Sequence, residues 1–161
     1  MLTLASCSHN MPKTVDYINK DKFMGSWYVI AGRFTFLEEG QHNSIETYTW
    51  NEKEQRIDID FRFNKDRFDG KLKSLPQKGF IYNTQTNAHW KIQPFWPLKL
   101  DYLILLCDPD YQWTVIGVPS QKYIWIMARE KQISEETLQK ILQKLKNIPY
   151  DTKNIVRVPQ R

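Results

Sequence analysis

Residues 23–33, with the sequence FMGSWYVIAGR, join glycine, tryptophan and tyrosine directly to a run of apolar, strand-forming residues. Glycine lets the backbone pass close to a bulky group, and tryptophan is the largest side chain that can fill a gap. The combination predicts a strand over residues 27–34 that begins beside a wide opening. We expect the Trp27 indole to plug that opening.

The rest of the chain shows one strand pattern after another. The segment RIDIDFRF, residues 56–63, alternates strictly between apolar and charged side chains, which is the period of two expected of a half-buried strand. Polar connections separate these segments by about ten residues, which is typical of an up-and-down antiparallel sheet. Eight such strands close readily into a barrel that can hold one small ligand. The other predicted strands are residues 44–50, 70–82, 88–95, 102–107, 113–118 and 123–129.

One amphipathic segment near the C-terminus predicts a helix. Ser134 is a suitable N-cap, and the two glutamates that follow it suit the positive end of the helix dipole. Because the apolar stripe covers a single face, we expect this helix to pack on the outside of the barrel. The stripe consists of Leu138, Ile141, Leu142 and Leu145.

The composition favours one domain and argues against a nucleic-acid partner. The chain has 161 residues, 41% of them hydrophobic, which suffices for one core. Its net charge of +5 comes from 23 basic and 18 acidic side chains that interleave along the sequence. No block of like charge stands out, as a nucleic-acid-binding patch would require. No stretch approaches the roughly 18 apolar residues of a membrane-spanning helix.

The sequence offers little for catalysis. The three histidines, His9, His42 and His89, lack the spacing of metal ligands, and no nucleophile elbow of the form G-x-S-x-G is present. A dyad of Cys107 with a distant histidine is the one conceivable nucleophilic arrangement. We therefore expect a protein that is not an enzyme and that uses no metal and no cofactor.

The tetrapeptide LASC, residues 4–7, resembles the lipobox of bacterial lipoproteins, in which small residues precede a cysteine that becomes lipidated. Lipidation of Cys7 would anchor the protein in the cell envelope. Six residues without a basic region or an apolar run precede Cys7, so this interpretation expects a longer signal, and a chance match is the alternative. Residues 1–14 are then the lipobox remnant and a polar tail.

Three motifs in order resemble those of the lipocalin family. Gly25 and Trp27, in the motif GSWY, match the G-x-W-Y signature that opens the first strand of lipocalins. Asp101 and Tyr102 open a later strand, and Arg129 ends the last one. The resemblance implies an eight-stranded antiparallel calyx in which the arginine lies across the tryptophan at the closed end. Such a cation–π contact is worth about 0.5 to 2 kcal/mol.

Within that family, residues 95–130 and 150–160 are most similar to the bacterial lipocalins, which are outer-membrane lipoproteins also related to apolipoprotein D. The resemblance implies one lipocalin domain over residues 15–161 that binds and stores or transports fatty acids or lysophospholipids. It also implies an outer-membrane location facing the periplasm, with attachment to the membrane through the lipid anchor on Cys7. Whether the protein forms a homodimer is left open. A lipid-directed lipocalin enzyme and a scaffold that binds no ligand are the alternatives.

The strand pattern and this resemblance together predict the ligand-binding residues. Inward-facing apolar and aromatic side chains would bury the ligand and offer it an occasional hydrogen bond. Phe36 and Trp96 lie in connections at the open mouth, where they could receive a lipid tail. The positions predicted to face the interior are Val29, Ala31, Phe61, Tyr102, Trp113 and Trp125.

Overall fold

The computed structural model describes residues 11–161, so Cys7 and the predicted lipobox lie outside the described residues. Two helices, one 3₁₀ turn and nine strands make up the described chain. In chain order they are α1 (Lys20–Phe23), β1 (Gly25–Arg33), the 3₁₀ turn Phe36–Glu38, β2 (Gln41–Asn51), β3 (Arg56–Lys65), β4 (Leu72–Ile81), β5 (His89–Gln93), β6 (Leu100–Cys107), β7 (Trp113–Gly117), β8 (Ile124–Ala128), α2 (Glu135–Asn147) and β9 (Val156–Arg157).

Eight of the strands form a closed barrel. Strands β2 to β8 pair in sequence order, β8 pairs with β1, and β1 pairs back with β2, always antiparallel. We call the end at which β1 begins the floor. The opposite end, where residues 34–40 join β1 to β2, is the mouth. The predicted eight-stranded antiparallel barrel with one helix outside it is confirmed.

Aromatic side chains fill the barrel interior near the floor. The ring of Phe23 lies 5.2 Å from that of Trp27 and 5.3 Å from that of Trp90, centroid to centroid. The N-terminal arm, residues 11–24, contributes to this packing, because Ile18 is buried in the same cluster and its N–H donates to the Thr86 carbonyl at 2.7 Å. The floor is therefore closed by the arm and by large rings.

Helix α2 covers the outside of the wall. Ser134 caps it as predicted, since its side chain accepts a hydrogen bond from the Thr137 N–H. The buried face of α2 packs on outward-facing side chains of β1, β6, β7 and β8, which gives the protein a second apolar cluster. Its fully buried members include Leu103, Val115, Ile124, Ile126, Ile141 and Leu145.

A bulge in β1 overturns one predicted inward position. Val29 pairs with Met127, whereas Ala31 pairs with Ile126, so Ile30 is an extra residue in β1. A bulge shifts the alternation of side chains by one position. Val29 consequently faces the interior cluster, but Ala31 lies in the outer cluster under α2, and the prediction that it faces the interior is wrong.

Trp113 was also predicted to face the interior and does not. Ile116 belongs to the interior cluster and Val115 to the outer one. Because side chains alternate along a strand, Trp113 shares the outward face of Val115. It packs against the cluster under α2, so this prediction is wrong as well.

The C-terminal segment fills a seam in the wall. Toward the mouth, the pairing of β1 with β2 ends at Tyr28 and Ile45, and β1 then pairs with β9. The side-chain amide of Gln160 donates to the carbonyls of Val29 at 2.9 Å and Ser44 at 2.8 Å. One amide thus bridges the two strands above the point where they stop pairing directly.

Candidate functional site

The floor is built around a stacked pair. The guanidinium carbon of Arg129 lies 3.6 Å from the centroid of the Trp27 ring, as the family resemblance implied. The indole N–H is satisfied within the same structure, since it donates to the Phe23 carbonyl at 2.9 Å. Gly25 has a φ of +94°, and a Cβ there would lie 3.3 Å from Arg129 Nη1. Glycine therefore allows both the left-handed backbone and the close approach.

Arg129 also holds the ends of the chain elements at the floor together. Its guanidinium donates to the carbonyls of Lys22 at 2.7 Å, Met24 at 2.9 Å and Ser26 at 2.8 Å. Arginine suits this role because its planar group presents several donors in a fixed arrangement. The end of β8 is in this way tied to α1 and to the start of β1.

Asp101 stabilises the pairing of β5 with β6. Its carboxylate accepts hydrogen bonds of 2.6 Å from both His89 Nε2 and Lys91 Nζ on the neighbouring strand. Partial burial raises the pKa of Asp101, but the hydrogen bonds and positive charges of these partners outweigh that effect and hold the pKa below its usual value. This predicted signature residue is structural and lies away from the interior.

Tyr102 faces the interior and supplies a polar group there. Its hydroxyl lies 2.6 Å from that of Tyr48, and its ring stacks on Trp90 at 5.1 Å. Val29 and Phe61, two other predicted positions, lie in the same interior cluster. The structure therefore brings these three predicted residues together.

A carboxyl group that the sequence prediction missed also faces the interior. Glu46 pairs with Trp27 on one side and with Phe61 on the other, and both of these neighbours point inward. Burial raises the pKa of Glu46, a hydrogen bond from Tyr48 lowers it and the nearby Glu38 carboxyl raises it, and the result of these effects is a pKa of about 7. Glu46 as a whole residue is half-buried.

A second carboxyl group holds the β1–β2 connection in place at the mouth. Glu38, in the 3₁₀ turn, accepts hydrogen bonds from Trp125 Nε1 at 2.7 Å, from the Thr35 hydroxyl at 2.7 Å and from the Thr35 N–H at 3.0 Å. Burial raises the pKa of Glu38, and these bonds partly offset the rise. Trp125, predicted to face the interior, therefore does so as an anchor for residues 34–40.

Strand β2 places a row of polar side chains on the inner face of the wall. Ser44, Glu46 and Tyr48 are two residues apart and share one face. Ser44 is fully buried, and neither its hydroxyl nor the amide of the buried Gln41 has a hydrogen-bond partner among residues 11–161. The sequence contained a signal for this row, because these polar residues alternate with the same period of two as Trp50, which packs against the interior cluster.

Exposed apolar side chains gather at the mouth. Phe36 and Trp96, the two predicted lip residues, are 82% and 84% exposed, in the β1–β2 and β5–β6 connections. Because an exposed apolar patch commonly marks a binding surface, this end of the barrel is a candidate ligand entrance. The other exposed apolar residues at this end include Leu37, Leu72, Phe95, Leu98 and Leu100.

Two grooves adjoin these connections. One of about 690 Å³ lies against β2, β3 and β4 and includes Phe95 and Trp96 in its lining. The other, of about 490 Å³, lies between residues 34–42 and the C-terminal segment. Gln41 lines the second groove together with Val158, which belongs to the interior cluster. The unpartnered amide of Gln41 is therefore buried beside this groove.

The described residues show no metal site and a thiol whose pKa is raised. Across residues 11–161, no group of three or more histidine, cysteine or acidic side chains is arranged to hold a metal. Burial raises the pKa of Cys107 to about 11, so its thiol stays protonated at neutral pH. Among the same residues, no helix is both long and apolar enough to cross a membrane.

A closed antiparallel barrel with a plugged floor and an apolar mouth defines a calyx protein. A family model described as a lipocalin-like domain matches residues 18–160. The chain belongs to the lipocalin family. Membership in this family and the calyx fold support the binding or transport of small hydrophobic ligands.

Curated relatives are similar over most of the chain. Temperature-induced lipocalin-1 of Arabidopsis thaliana is 31% identical over 163 residues, which cover 92% of this chain and 82% of the relative. Outer membrane lipoprotein Blc of Escherichia coli (strain K12) is 26% identical over 162 residues, which cover 99% of this chain and 90% of the relative. The predicted similarity to bacterial lipocalins is confirmed.

Solved structures show the same fold at lower identity. Lobster apocrustacyanin A1 superimposes with a TM-score of 0.69 at 18% identity, covering 89% of this chain and 80% of the other. Insecticyanin from the tobacco hornworm Manduca sexta gives a TM-score of 0.68 at 16% identity, covering 91% of this chain and 82% of the other.

Proposed function

We propose that this lipocalin binds single-chain lipids, either fatty acids or lysophospholipids, in its barrel and stores or transports them. The observation that supports the proposal is the difference between the two ends of the barrel. The Trp27–Arg129 pair closes the floor, whereas the mouth displays exposed apolar side chains from several connections. A lipid chain that enters at the mouth would remove both its own surface and these side chains from water, at about 25 cal/mol per Å².

Displacement of a fluorescent apolar probe tests lipid binding. We expect saturable, stoichiometric displacement by single-chain lipids, and native mass spectrometry of protein purified from an envelope extract should show a bound lipid. The Trp96→Ala variant should bind more weakly, by about three- to tenfold, because it loses an aromatic surface at the mouth. Tyr17→Ala removes an exposed aromatic ring from the floor side and serves as the matched control. Protein that stays empty after lipid addition would favour the scaffold alternative.

The proposal also places the protein in the bacterial envelope, as an outer-membrane lipoprotein facing the periplasm. It is supported by the lipobox-like sequence at Cys7 and by the relatives named outer membrane lipoprotein. One domain over residues 15–161 then follows a tail that carries the anchor. Metabolic labelling with palmitate should mark the native chain and should not mark the Cys7→Ala variant. Sedimentation velocity of the purified protein decides between a monomer and a homodimer.

We propose that the protein is a carrier without catalytic activity. The raised pKa of Cys107 supports this, because a protonated thiol is a poor nucleophile. After incubation with an activated acyl lipid, mass spectrometry should show no covalent adduct on Cys107. An adduct that forms and turns over would instead support the alternative of a lipid-directed lipocalin enzyme.

A further inference from the structure

The interior of the barrel differs from a uniformly apolar cavity along one strand. Ser44, Glu46 and Tyr48 follow one another on the inner face of β2, and Gln41 lines the groove at the mouth end of the same strand. The neighbouring strand β3 and the more distant strands β6 and β7 contribute mainly apolar side chains to the interior cluster. A ligand in the barrel therefore meets hydrogen-bonding groups on one side.

Two of these polar side chains are buried without a protein partner. Gln41 is 6% exposed and Ser44 is fully buried, yet the amide and the hydroxyl have no hydrogen-bond partner among the described residues. Leaving buried polar groups unsatisfied costs free energy. Gln41 lines the groove at the mouth, and Ser44 lies farther along the same strand. Unpartnered groups of this kind are suited to binding a polar group that comes from outside the protein.

The inner face beside Glu46 is acidic. Glu46 faces the interior, and Glu38 is close enough to raise its pKa. Among residues 11–161, no basic side chain contributes to the shift at Glu46. A ligand carboxylate bound beside Glu46 would be a like charge in a partly desolvated place, which is unfavourable. An ammonium group would instead gain an opposite charge, and a hydroxyl group would gain a hydrogen-bond acceptor.

We propose that β2 is the headgroup-binding strand of the calyx, where Gln41, Ser44 and Glu46 bind a cationic or neutral hydrogen-bond-donating headgroup inside the barrel. Anionic headgroups are disfavoured at this place. The inference rests on the proposed binding of single-chain lipids and departs from that proposal in one respect, because it disfavours fatty acids bound as carboxylates. Glu46 determines the specificity, and Gln41 and Ser44 supply further hydrogen bonds.

Three ligands of equal chain length test the inference. Dodecylammonium, dodecanol and dodecanoate, each below its micellar concentration, compete at pH 7.5 with the neutral probe N-phenyl-1-naphthylamine. The wild-type protein should bind dodecylammonium most tightly, dodecanol next and dodecanoate most weakly, with about a tenfold difference between the two ions. Glu46→Gln should reduce this difference to about threefold or less, because it removes the charge and keeps the shape.

Glu52→Gln is the matched control. Glu52 is exposed in the β2–β3 connection at the floor end, so the variant makes the same change in net charge away from the inner face and the mouth. An equal effect of both variants would show that overall charge determines the preference and would overturn the inference. Gln41→Leu should weaken dodecanol binding while circular dichroism shows an unchanged fold.

The outcomes separate this inference from the function on which it rests. If none of the three ligands displaces the probe from folded protein, the proposed lipid binding fails, and the headgroup inference fails with it. If all three displace it saturably and dodecanoate binds as tightly as dodecylammonium, or more tightly, the headgroup inference alone is overturned. The expected order of affinities, lost in Glu46→Gln and kept in Glu52→Gln, supports both.

Discussion

The guanidinium of Arg129 lies 3.6 Å from the centroid of the Trp27 ring and donates hydrogen bonds to backbone carbonyls of residues 22–26. Trp27 is fully buried, so the cation covers the lower side of the interior cluster. The glycine at position 25 permits this approach. Gly25 and Trp27 of the motif are thus explained by a single contact, in which a large ring closes the barrel and a distant arginine holds it in place.

Replacing Arg129 by lysine should destabilise the protein by about 2 to 4 kcal/mol. Lysine keeps the charge but cannot stack in the same way or donate to three carbonyls from one planar group, so the floor loses charge-assisted hydrogen bonds and part of the cation–π contact. Urea unfolding followed by tryptophan fluorescence measures the change. Arg62→Lys, on the exposed face of β3 where Arg62 pairs with Asp60, should change the free energy of unfolding by less than about 0.5 kcal/mol. Equal losses in the two variants would contradict a special role for the floor contact.

Glu46 should make the unfolding free energy depend on pH. Its pKa rises from 4.5 to about 7 on folding, so the folded state binds the proton more tightly than the unfolded state. Glu46 is protonated in both the folded and the unfolded state below pH 4.5. The free energy of unfolding then falls as the pH increases from 4.5 to 7. The loss should reach about 1 to 3 kcal/mol and level off above pH 7. Urea unfolding at intervals from pH 4.5 to 8 measures it.

The other ionisable groups near Glu46 either change the stability in the same direction or have pKa values outside the interval from 4.5 to 7. Glu38, from the 3₁₀ turn, also has a raised pKa, so its own titration adds to the decline. Tyr48 and Tyr102 have pKa values well above 10 and stay neutral throughout. Glu46→Gln should therefore flatten the pH profile and raise stability at pH 8, whereas Glu39→Gln should leave the slope as in the wild type. A wild-type slope retained in Glu46→Gln would refute the assignment to this side chain.

The bond between Glu38 and Trp125 should control ligand exchange at the mouth. Trp125→Phe keeps an aromatic ring but removes the N–H that donates to Glu38 at 2.7 Å. The connection of residues 34–40 then loses its anchor on β8, so a bound apolar probe should dissociate faster, by about three- to tenfold. Stopped-flow release of the probe gives the rate.

Trp113→Phe is the control for that measurement. It makes the same chemical change on the outer face of the wall, where Trp113 packs near α2. Its release rate should stay within a factor of about two of the wild-type rate. Equal acceleration in both variants would mean that loss of general stability, and not release of the connection, increases the rate.

The barrel and its helix could be predicted because their patterns are local. Alternation in residues 56–63 and the helical spacing after Ser134 each follow from the burial of one face, and short polar connections favour neighbouring antiparallel strands. The closing contact between β1 and β8 was implied by the family motifs at Trp27 and Arg129. Neither the spacing nor the composition alone specifies which distant residues meet at the floor.

The errors and omissions arise where local patterns are interrupted. Ala31 lies two residues after Val29, so alternation predicts a common face, and only the bulge at Ile30 reverses it. Glu46 was missed because a polar residue is normally assigned to the solvent side of a strand. That assumption fails in a ligand-binding cavity, because a polar group of the ligand can form the hydrogen bonds that an apolar core cannot provide. The seam filled by β9 depends on contacts more than 100 residues apart in sequence.

Gln160 should be essential for closing this seam. Its amide nitrogen is the donor for both the Val29 and the Ser44 carbonyls, on two strands that no longer pair with each other at this level. Gln160→Ala leaves those carbonyls without that donor and should lower the free energy of unfolding by about 1 to 3 kcal/mol. Gln143→Ala, on the exposed face of α2, removes the same side chain without such a bond and should change the free energy of unfolding by less than about 0.5 kcal/mol.

Hydrogen exchange in Gln160→Ala should also become faster at Asn43 and Val158, whose N–H groups bond across the same seam, while the β6–β7 pairing keeps its protection. Unchanged exchange at both positions would show that backbone pairing alone closes the wall.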